Sequence, residues 1–159
     1  MAKNSILFIC RHNSGRSQMA EGYVRRFAGD RWEASSAGFE PAEQVNPLVV
    51  EAMQEEGIDL SGKTPRSAFE LFRRGALFGV VVTVCDDSES QCPVYPGITR
   101  RVHHPFPDPA AACGSHGERL AAVRAIRDSI KEWILGPDSP LADQSPRKEL
   151  PNFEREPLP

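Results

Sequence analysis

Long hydrophobic runs and blocks of basic residues are both absent from this sequence of 159 residues. No stretch is long enough to span a membrane, and the apolar run after Asn4 is too short for the core of a signal peptide. A net charge of −3 without a Lys/Arg block argues against a broad nucleic-acid surface, while leaving room for a local basic pocket. We therefore expect a cytoplasmic protein whose partners include neither nucleic acid nor membrane.

Cysteine is also scarce, with only Cys10, Cys85, Cys92 and Cys113 in the chain. The length suits one domain with its own hydrophobic core, so disulfide bonds are not needed to hold the fold together. In a reducing compartment, cysteines are more often catalytic or metal-binding than structural, and a static disulfide is disfavoured. The four thiols are therefore the first candidates for chemistry.

Short apolar runs alternate with segments of helical periodicity, and no internal repeat is present. The pattern predicts strands at about 5–10, 32–36, 77–84 and 99–103, and helices at about 15–29, 46–57, 67–74 and 114–135. Strands that alternate with helices indicate an α/β domain with a parallel sheet covered on both faces. We predict one domain over residues 1–137 and an extended tail over residues 138–159, where Pro, Ser and charged residues dominate.

The segment that joins the first predicted strand to the first predicted helix combines a nucleophile with anion-binding groups. Its backbone N–H groups can form an anion-binding nest, and the helix dipole adds positive potential. We expect Arg16 to bind two oxygens of a tetrahedral anion, and Ser17 to donate to a Cys10 thiolate. The predicted substrate-binding residues are Arg11, His12, Asn13, Ser14, Gly15 and Arg16.

Simpler interpretations compete at several of these positions. Cys10 alone is equally compatible with an inert cysteine at the end of a buried strand. Arg11 and His12 suit a role in backbone geometry or local charge better than one in catalysis. Asn13 tolerates the left-handed conformation and is a candidate for locking the loop.

Cys85 and Cys92 suggest redox chemistry. Cys85 ends a buried strand as Cys10 does, and the carboxyl ends of parallel strands face one crevice, so the two thiols are expected to meet. Cys92 follows seven residues later in a polar predicted loop. In one alternative, Cys85 is simply a buried strand residue and Cys92 is an incidental loop thiol. In another, these cysteines belong to a zinc site. The candidate zinc ligands are Cys85, Cys92, His103, His104, Cys113 and His116, although no clean pair of short-spaced ligand motifs is present.

Asp108 precedes Pro109 in a predicted loop just after the last strand. A carboxylic acid at this place can protonate an oxygen that leaves as Cys10 attacks. The alternative is a turn aspartate, which is common before proline. Cys113 is interpreted as a small, inessential thiol.

Cys10, Arg16 and Ser17, followed by Gln18-Met19-Ala20-Glu21-Gly22, resemble the signature of the low-molecular-weight tyrosine phosphatase superfamily. Within it, the sequence is most similar to the thioredoxin-coupled arsenate reductases. The resemblance covers about residues 4–135. It implies a four-stranded parallel sheet in the order 2-1-3-4.

The resemblance also implies roles for the remaining candidates. The spacing of Cys85 and Cys92, followed by Pro93, matches the reductase pattern, in which Cys10, Cys85 and Cys92 pass an oxidation from thiol to thiol. Asp108 matches the general acid. Phosphatases of this superfamily usually carry aromatic residues after that motif, whereas residues 110–112 here are all alanine, which favours a small inorganic anion.

Arsenate is thus the expected substrate, with phosphate and sulfate as weak competitors, thioredoxin as the reductant and no tightly bound cofactor. A glutaredoxin system remains open, and we expect a monomer. Some family members bind potassium, and Asn13, Glu21 and Ser36 resemble three of those ligands. Arg66 stands where an acidic ligand would align, which weakens the potassium prediction. The alternative functions are a tyrosine phosphatase and a non-catalytic oxyanion- or zinc-binding protein.

Overall fold

The computed structural model describes residues 3–86 and 100–142. The strands are β1 (Asn4–Cys10), β2 (Trp32–Gly38), β3 (Val80–Thr83) and β4 (Arg100–His103). The helices are α1 (Arg16–Ala28), α2 (Pro47–Gln54), α3 (Ala68–Arg73) and α4 (His116–Leu135), with a 3-10 turn at Pro109–Ala111. The described elements follow the predicted order, in which β1, α1, β2 and α2 alternate and α3 follows α2 directly.

The four strands form one parallel sheet in the order β2-β1-β3-β4. β1 lies in the interior of the sheet, where Ile6 pairs with Ala34 of β2 and with Val80 of β3. This position explains why the β1 sequence is a continuous apolar run, since both of its faces are covered. The predicted α/β fold with the strand order 2-1-3-4 is confirmed.

The two faces of the sheet differ in how they are covered. One face carries the main core, against which α1, α2 and α4 pack. The other face carries a smaller cluster of Leu7, Ile9, Ala37, Ala68 and Val81, with Ala68 supplied by α3. The main core includes Ile6, Phe8, Met19, Tyr23, Leu48, Met53, Val82, Val123, Ile130 and Trp133.

Polar residues fix where α2, α3 and α4 begin. The Asn46 side chain accepts the Leu48 N–H at the start of α2, as its place before Pro47 predicts. The Ser67 side chain accepts the Glu70 N–H at the start of α3. α4 begins at His116, two residues later than predicted, because Ser115 and Glu118 form a capping box.

β3 is shorter at its N-terminal end than the predicted strand, which began at Leu77. Leu77 is 83% exposed, and pairing with β1 begins at Val80. One residue earlier, the Gly79 N–H donates to the Ser5 side chain at 2.9 Å instead of to a strand backbone. The predicted strand was too long because residues 77–79 follow the apolar pattern but do not pair with β1.

The chain continues along the domain surface after α4. Ser139 is 6% exposed, and Leu141 packs against the main core. The Arg100 side chain donates to the Pro140 carbonyl at 3.3 Å. The rest of the predicted tail, residues 143–159, lies outside the described residues. Within residues 3–86 and 100–142, no helix combines the length and apolar character needed to cross a lipid bilayer.

Candidate active site

The Cys10 sulfur lies at the carboxyl end of β1, where the sheet gives way to the loop of residues 11–15. The residue is 2% exposed. Its Sγ is 2.8 Å from the Ser17 hydroxyl oxygen, and it accepts the Asn13 backbone N–H at 3.2 Å. Donors directed at sulfur stabilise a thiolate. The strand end and the first turn of α1 thus meet at one nucleophile.

Asn13 adopts the left-handed conformation that the sequence suggested, with φ of 51°. A non-glycine residue rarely occupies this region, although asparagine does so more readily than most. Its Nδ2 donates to the Ser17 hydroxyl at 2.8 Å, and its Oδ1 accepts the Arg66 backbone N–H at 2.9 Å. Asn13 is completely buried, so these contacts fix the loop from inside.

The segment between β2 and α2 supports the loop through backbone contacts. The Arg11 carbonyl accepts the Glu40 N–H at 2.8 Å, and the Ser14 carbonyl accepts the Asn46 N–H at 2.8 Å. A Cβ at Gly38 would lie 2.7 Å from the Asn13 nitrogen and 2.8 Å from the Arg11 oxygen. Only glycine permits this approach at the end of β2, a function that sequence reasoning did not identify.

The Arg16 guanidinium is buried, with 3% of the side chain exposed. It donates to the Phe106 carbonyl at 3.1 Å, and its Nη2 is 3.9 Å from Asp108 Oδ1. These contacts join the first helical residue of α1 to the segment after β4. A contact of a side chain with a distant backbone carbonyl leaves no signal in the residue types, so this one could not be predicted from the sequence.

Asp108 caps a turn, as one of the two interpretations of the sequence predicted, and it also lies at the active-site cleft. Its Oδ1 accepts the Ala110 N–H at 3.0 Å, which caps the following 3-10 turn. Asp108 also lines a small cleft beside the loop. The cleft is lined by Cys10, His12, Ser14, Gly15, Arg16, Asn46, Asp108, Pro109 and Ala110.

Cys85 follows β3 and belongs to the main core, as Cys10 does. It is 1% exposed. If side chains continued to alternate as in a strand, residue 85 would lie on the opposite face of the sheet, with Val81. Backbone pairing with β1 ends, however, at the hydrogen bond from the Val84 N–H to the Ile9 carbonyl at 2.9 Å. Cys10 and Cys85 therefore lie on the same side of the sheet. Cys92 falls outside the described residues.

The comparisons with known proteins agree with this architecture. A family model described as low molecular weight phosphotyrosine protein phosphatase matches residues 5–132. The chain belongs to this phosphatase family. The matched span includes the loop, the segment after β3 and Asp108, so all the predicted catalytic positions fall within it.

Arsenate reductases are among the similar members of this phosphatase family. The arsenate reductase of Halalkalibacterium halodurans is 45% identical over 135 residues, covering 84% of this chain and 94% of that protein. A solved arsenate reductase from Archaeoglobus fulgidus has a TM-score of 0.61 and 33% identity, covering 80% of this chain and 96% of that one. A thioredoxin-dependent arsenate reductase from Corynebacterium glutamicum has a TM-score of 0.55 and 27% identity, covering 83% and 61%.

The remaining loop side chains of this phosphatase-family member make contacts at its surface. Arg11 Nε is 3.3 Å from Glu40 Oε2, and His12 Nδ1 is 2.8 Å from the Glu40 carbonyl oxygen. Both contacts attach the loop to the segment after β2. Cys113 is exposed and donates to the Ala111 carbonyl at 3.3 Å.

The suggested zinc ligands are dispersed. His103 Nδ1 lies 2.7 Å from the Thr83 hydroxyl, whereas His116 Nε2 lies 3.1 Å from a Glu51 carboxylate oxygen. In the described part of the chain, no three His, Cys, Asp or Glu side chains come together in a group able to hold a metal ion. Cys92, which the zinc alternative includes, is not among the described residues.

The three residues that resemble potassium ligands in this phosphatase family are all buried, namely Asn13, Glu21 and Ser36. The Glu21 carboxylate lies 2.8 Å from Lys63 Nζ and 3.4 Å from Arg25 Nη2. Lys63 and Arg25 thus already balance the charge of the Glu21 carboxylate, which a potassium ion at this place would need as a ligand.

Proposed function

We propose that this enzyme reduces arsenate to arsenite through a relay of Cys10, Cys85 and Cys92, with thioredoxin regenerating the thiols. The observation that carries the proposal is a second buried thiol, Cys85, on the same side of the sheet as Cys10. Hydrolysis of a phosphate ester requires only one of these thiols, whereas reduction requires a source of two electrons. Similarity to arsenate reductases supports the same conclusion.

The proposed substrate site is the cleft between the loop and Asp108. Arsenate binds through backbone N–H groups of residues 11–16, apart from the Asn13 N–H that donates to Cys10 Sγ, and through the Arg16 guanidinium, whose planar fork matches two oxygens of a tetrahedral anion. The buried position of Arg16 strengthens this interaction because little water competes for it. Phosphate and sulfate share this shape and are expected to compete weakly.

Cys10 performs the first chemical step. Its thiolate attacks arsenic and forms a sulfur–arsenic bond, while one arsenate oxygen leaves. Asp108 lines the same cleft and gives a proton to that oxygen, which departs as water. Ser17 and Asn13 hold the thiolate before attack through the contacts at 2.8 and 3.2 Å.

Cys85 and Cys92 carry the oxidation away. The Cys85 thiolate attacks the Cys10 sulfur, the sulfur–arsenic bond breaks, and its electron pair stays on arsenic as arsenite leaves. Cys92 then attacks Cys85, which releases the Cys10 thiolate and leaves a Cys85–Cys92 disulfide. The thioredoxin dithiol reduces that disulfide and becomes oxidised in turn. We expect the enzyme to act as a cytoplasmic monomer without a bound cofactor.

A tyrosine phosphatase is the second candidate function, favoured by the family to which the chain belongs and by the placement of Asp108. Comparing thioredoxin-dependent arsenite formation with phenyl phosphate hydrolysis separates the two. We expect sustained arsenite formation by the wild-type protein, and slow hydrolysis that survives in Cys85→Ser because hydrolysis needs no second thiol. Efficient phenyl phosphate hydrolysis without arsenite formation would contradict the reductase proposal.

A further inference from the structure

Gln18 is a buried amide beside the active-site loop that the proposed mechanism leaves without a role. It lies in the first turn of α1 and is 1% exposed. Its Nε2 donates to the Asn13 backbone oxygen at 3.2 Å and to Asn13 Oδ1 at 3.1 Å. A single amide therefore holds both the main chain and the side chain of one loop residue.

The orientation of the Gln18 amide follows from its partners. The Asn13 backbone oxygen can only accept, and Asn13 Oδ1 already accepts the Arg66 N–H at 2.9 Å. A flipped amide would place its oxygen against two acceptors, so the NH₂ group must face Asn13. Within the described part of the chain, Gln18 Oε1 is consequently buried without a hydrogen-bond partner. An unpaired buried acceptor costs stability, so the contacts of Nε2 with Asn13 are the favourable part of this arrangement.

Asn13 is the residue that this amide contacts. It is the one non-glycine residue with positive φ in the described ranges, so its backbone needs external support. Its N–H donates to Cys10 Sγ at 3.2 Å, and its Nδ2 donates to the Ser17 hydroxyl at 2.8 Å. Both groups next to the sulfur therefore depend on where Asn13 lies.

We propose that Gln18 is a positioning residue that locks Asn13 in the left-handed conformation and so aims the Asn13 N–H and the Ser17 hydroxyl at Cys10. The inference rests on the proposed function of Cys10 as nucleophile, and it adds a residue that touches neither sulfur nor substrate. Loss of the Gln18 amide lets Asn13 move, and the thiolate then loses stabilisation although every reacting group is still present.

Gln18→Met tests this role because methionine has the same length but neither the donor nor the unpaired acceptor. Gln54→Met, at an exposed position in α2, is the matched control. Alkylation of Cys10 by iodoacetamide is followed by mass spectrometry of the tryptic peptide 4–11, in which Cys10 is the only cysteine. The alkylation rate at about pH 6 divided by the rate at about pH 9 reports the thiolate fraction of Cys10. Changes in the access of iodoacetamide to the sulfur affect both rates and cancel in this ratio.

We expect this ratio to fall about tenfold in Gln18→Met, the factor that one charge-assisted hydrogen bond supplies, and to stay unchanged in Gln54→Met. Asn13→Gly provides a second arm, since glycine adopts positive φ without the amide contacts. In that background Gln18→Met should change the ratio little, because the coupling passes through Asn13.

The proposal would be overturned if the ratio were unchanged in Gln18→Met, or if Gln18→Met lowered the ratio equally in the Asn13→Gly background. It would also be overturned if Gln18→Met no longer unfolded cooperatively by circular dichroism. Loss of cooperative unfolding counts against it because it would assign Gln18 to the core instead. Alkylation of Cys10 involves no arsenate. A wild-type protein that failed to reduce arsenate would therefore refute the proposed function, while the alkylation ratios would still test the role of Gln18.

Discussion

Arg16 is placed by the fold before any substrate arrives. Its guanidinium is buried, donates to the Phe106 carbonyl at 3.1 Å and lies 3.9 Å from the Asp108 carboxylate. A side chain held in this way loses little conformational freedom when an oxyanion binds, which favours binding and catalysis alike. Lysine carries the same charge but cannot reproduce the planar set of donors.

Arg16→Lys should therefore lower kcat/KM for arsenate by about 10²- to 10³-fold, the usual effect of removing one stabilising donor from an oxyanion site. Arg26→Lys, on the exposed face of α1, serves as the control and should retain wild-type turnover. Steady-state arsenite formation measures both variants. Near-normal catalytic efficiency in Arg16→Lys would show that the guanidinium does not bind the reacting anion.

Some site residues could be predicted from sequence because their chemistry and local spacing are sufficient. Cys10 and Ser17 are seven residues apart across a strand–loop–helix junction, and their side chains meet at 2.8 Å. The left-handed Asn13 was predictable from residue type. Gly38 was not, because its requirement comes from the backbone of a loop distant in sequence. Gln18 was visible only as part of a signature.

At the scale of elements, a cluster of ion pairs joins the end of α2 to α4. Glu55 caps α2 and receives the Arg124 guanidinium at 2.6 Å and Arg127 Nη1 at 2.9 Å. The hydrogen bond from Arg124 is the main cause that lowers the pKa of Glu55 from its usual 4.5 to about 2. The charged form of this carboxylate is thus favoured in the folded protein.

Because the folded pKa is lowered, the stabilisation by Glu55 is present above about pH 4.5 and is lost as the pH falls through about 2. Glu55→Gln should unfold at a lower temperature than the wild type near neutral pH, and the gap should close as acid is added. Glu33→Gln, at an exposed position in β2, is the control. A gap that is constant or widens in acid, measured by thermal circular dichroism, would be inconsistent with the ion pairs.

The existence and order of the elements were easier to predict than their ends. Apolar patterning and capping residues together revealed all four strands and four helices of the described fold. The start of β3 could not be read from composition, because Leu77 and Val80 are both apolar but only Val80 finds a partner on β1. The start of α4 was readable from Ser115 and Glu118, a capping-box spacing that the prediction overlooked.

At the scale of the whole molecule, the first residues after α4 pack against the domain. Ser139 is buried, Leu141 contacts the main core, and Pro140 accepts a hydrogen bond from Arg100. None of these residues lines the cleft. We therefore expect the first residues of the predicted tail to contribute to stability, and no residue of the tail to contribute to catalysis.

Two truncations test this division. Deletion of residues 143–159 should leave arsenate turnover within a few-fold of wild type, whereas deletion of residues 138–159 should also lower Tm by a few degrees through lost apolar burial. Turnover assays and thermal unfolding separate the two effects. A loss of turnover of about a hundredfold or more in the shorter deletion would show that the tail completes the active site.

The relay requires each thiol to act at a different step, so each substitution should stop the molecule at a different point. Cys10→Ser should release no arsenite, because hydroxyl is a poor nucleophile at neutral pH. Cys92→Ser should release about one arsenite per protein and then stop. Cys113→Ser should cycle normally, since Cys113 is exposed and its sulfur donates to the nearby Ala111 carbonyl.

The most direct test of the relay is mass-spectrometric mapping of disulfides after a single arsenate turnover without reductant. Trypsin leaves Cys85 and Cys92 together in peptide 75–100 and places Cys10 in peptide 4–11, so the two disulfides have different signatures. The wild type should give peptide 75–100 with an internal disulfide, and Cys92→Ser should give peptides 4–11 and 75–100 joined by a Cys10–Cys85 bond. Cys113 in either disulfide, or sustained turnover of Cys92→Ser with thioredoxin alone, would contradict the relay.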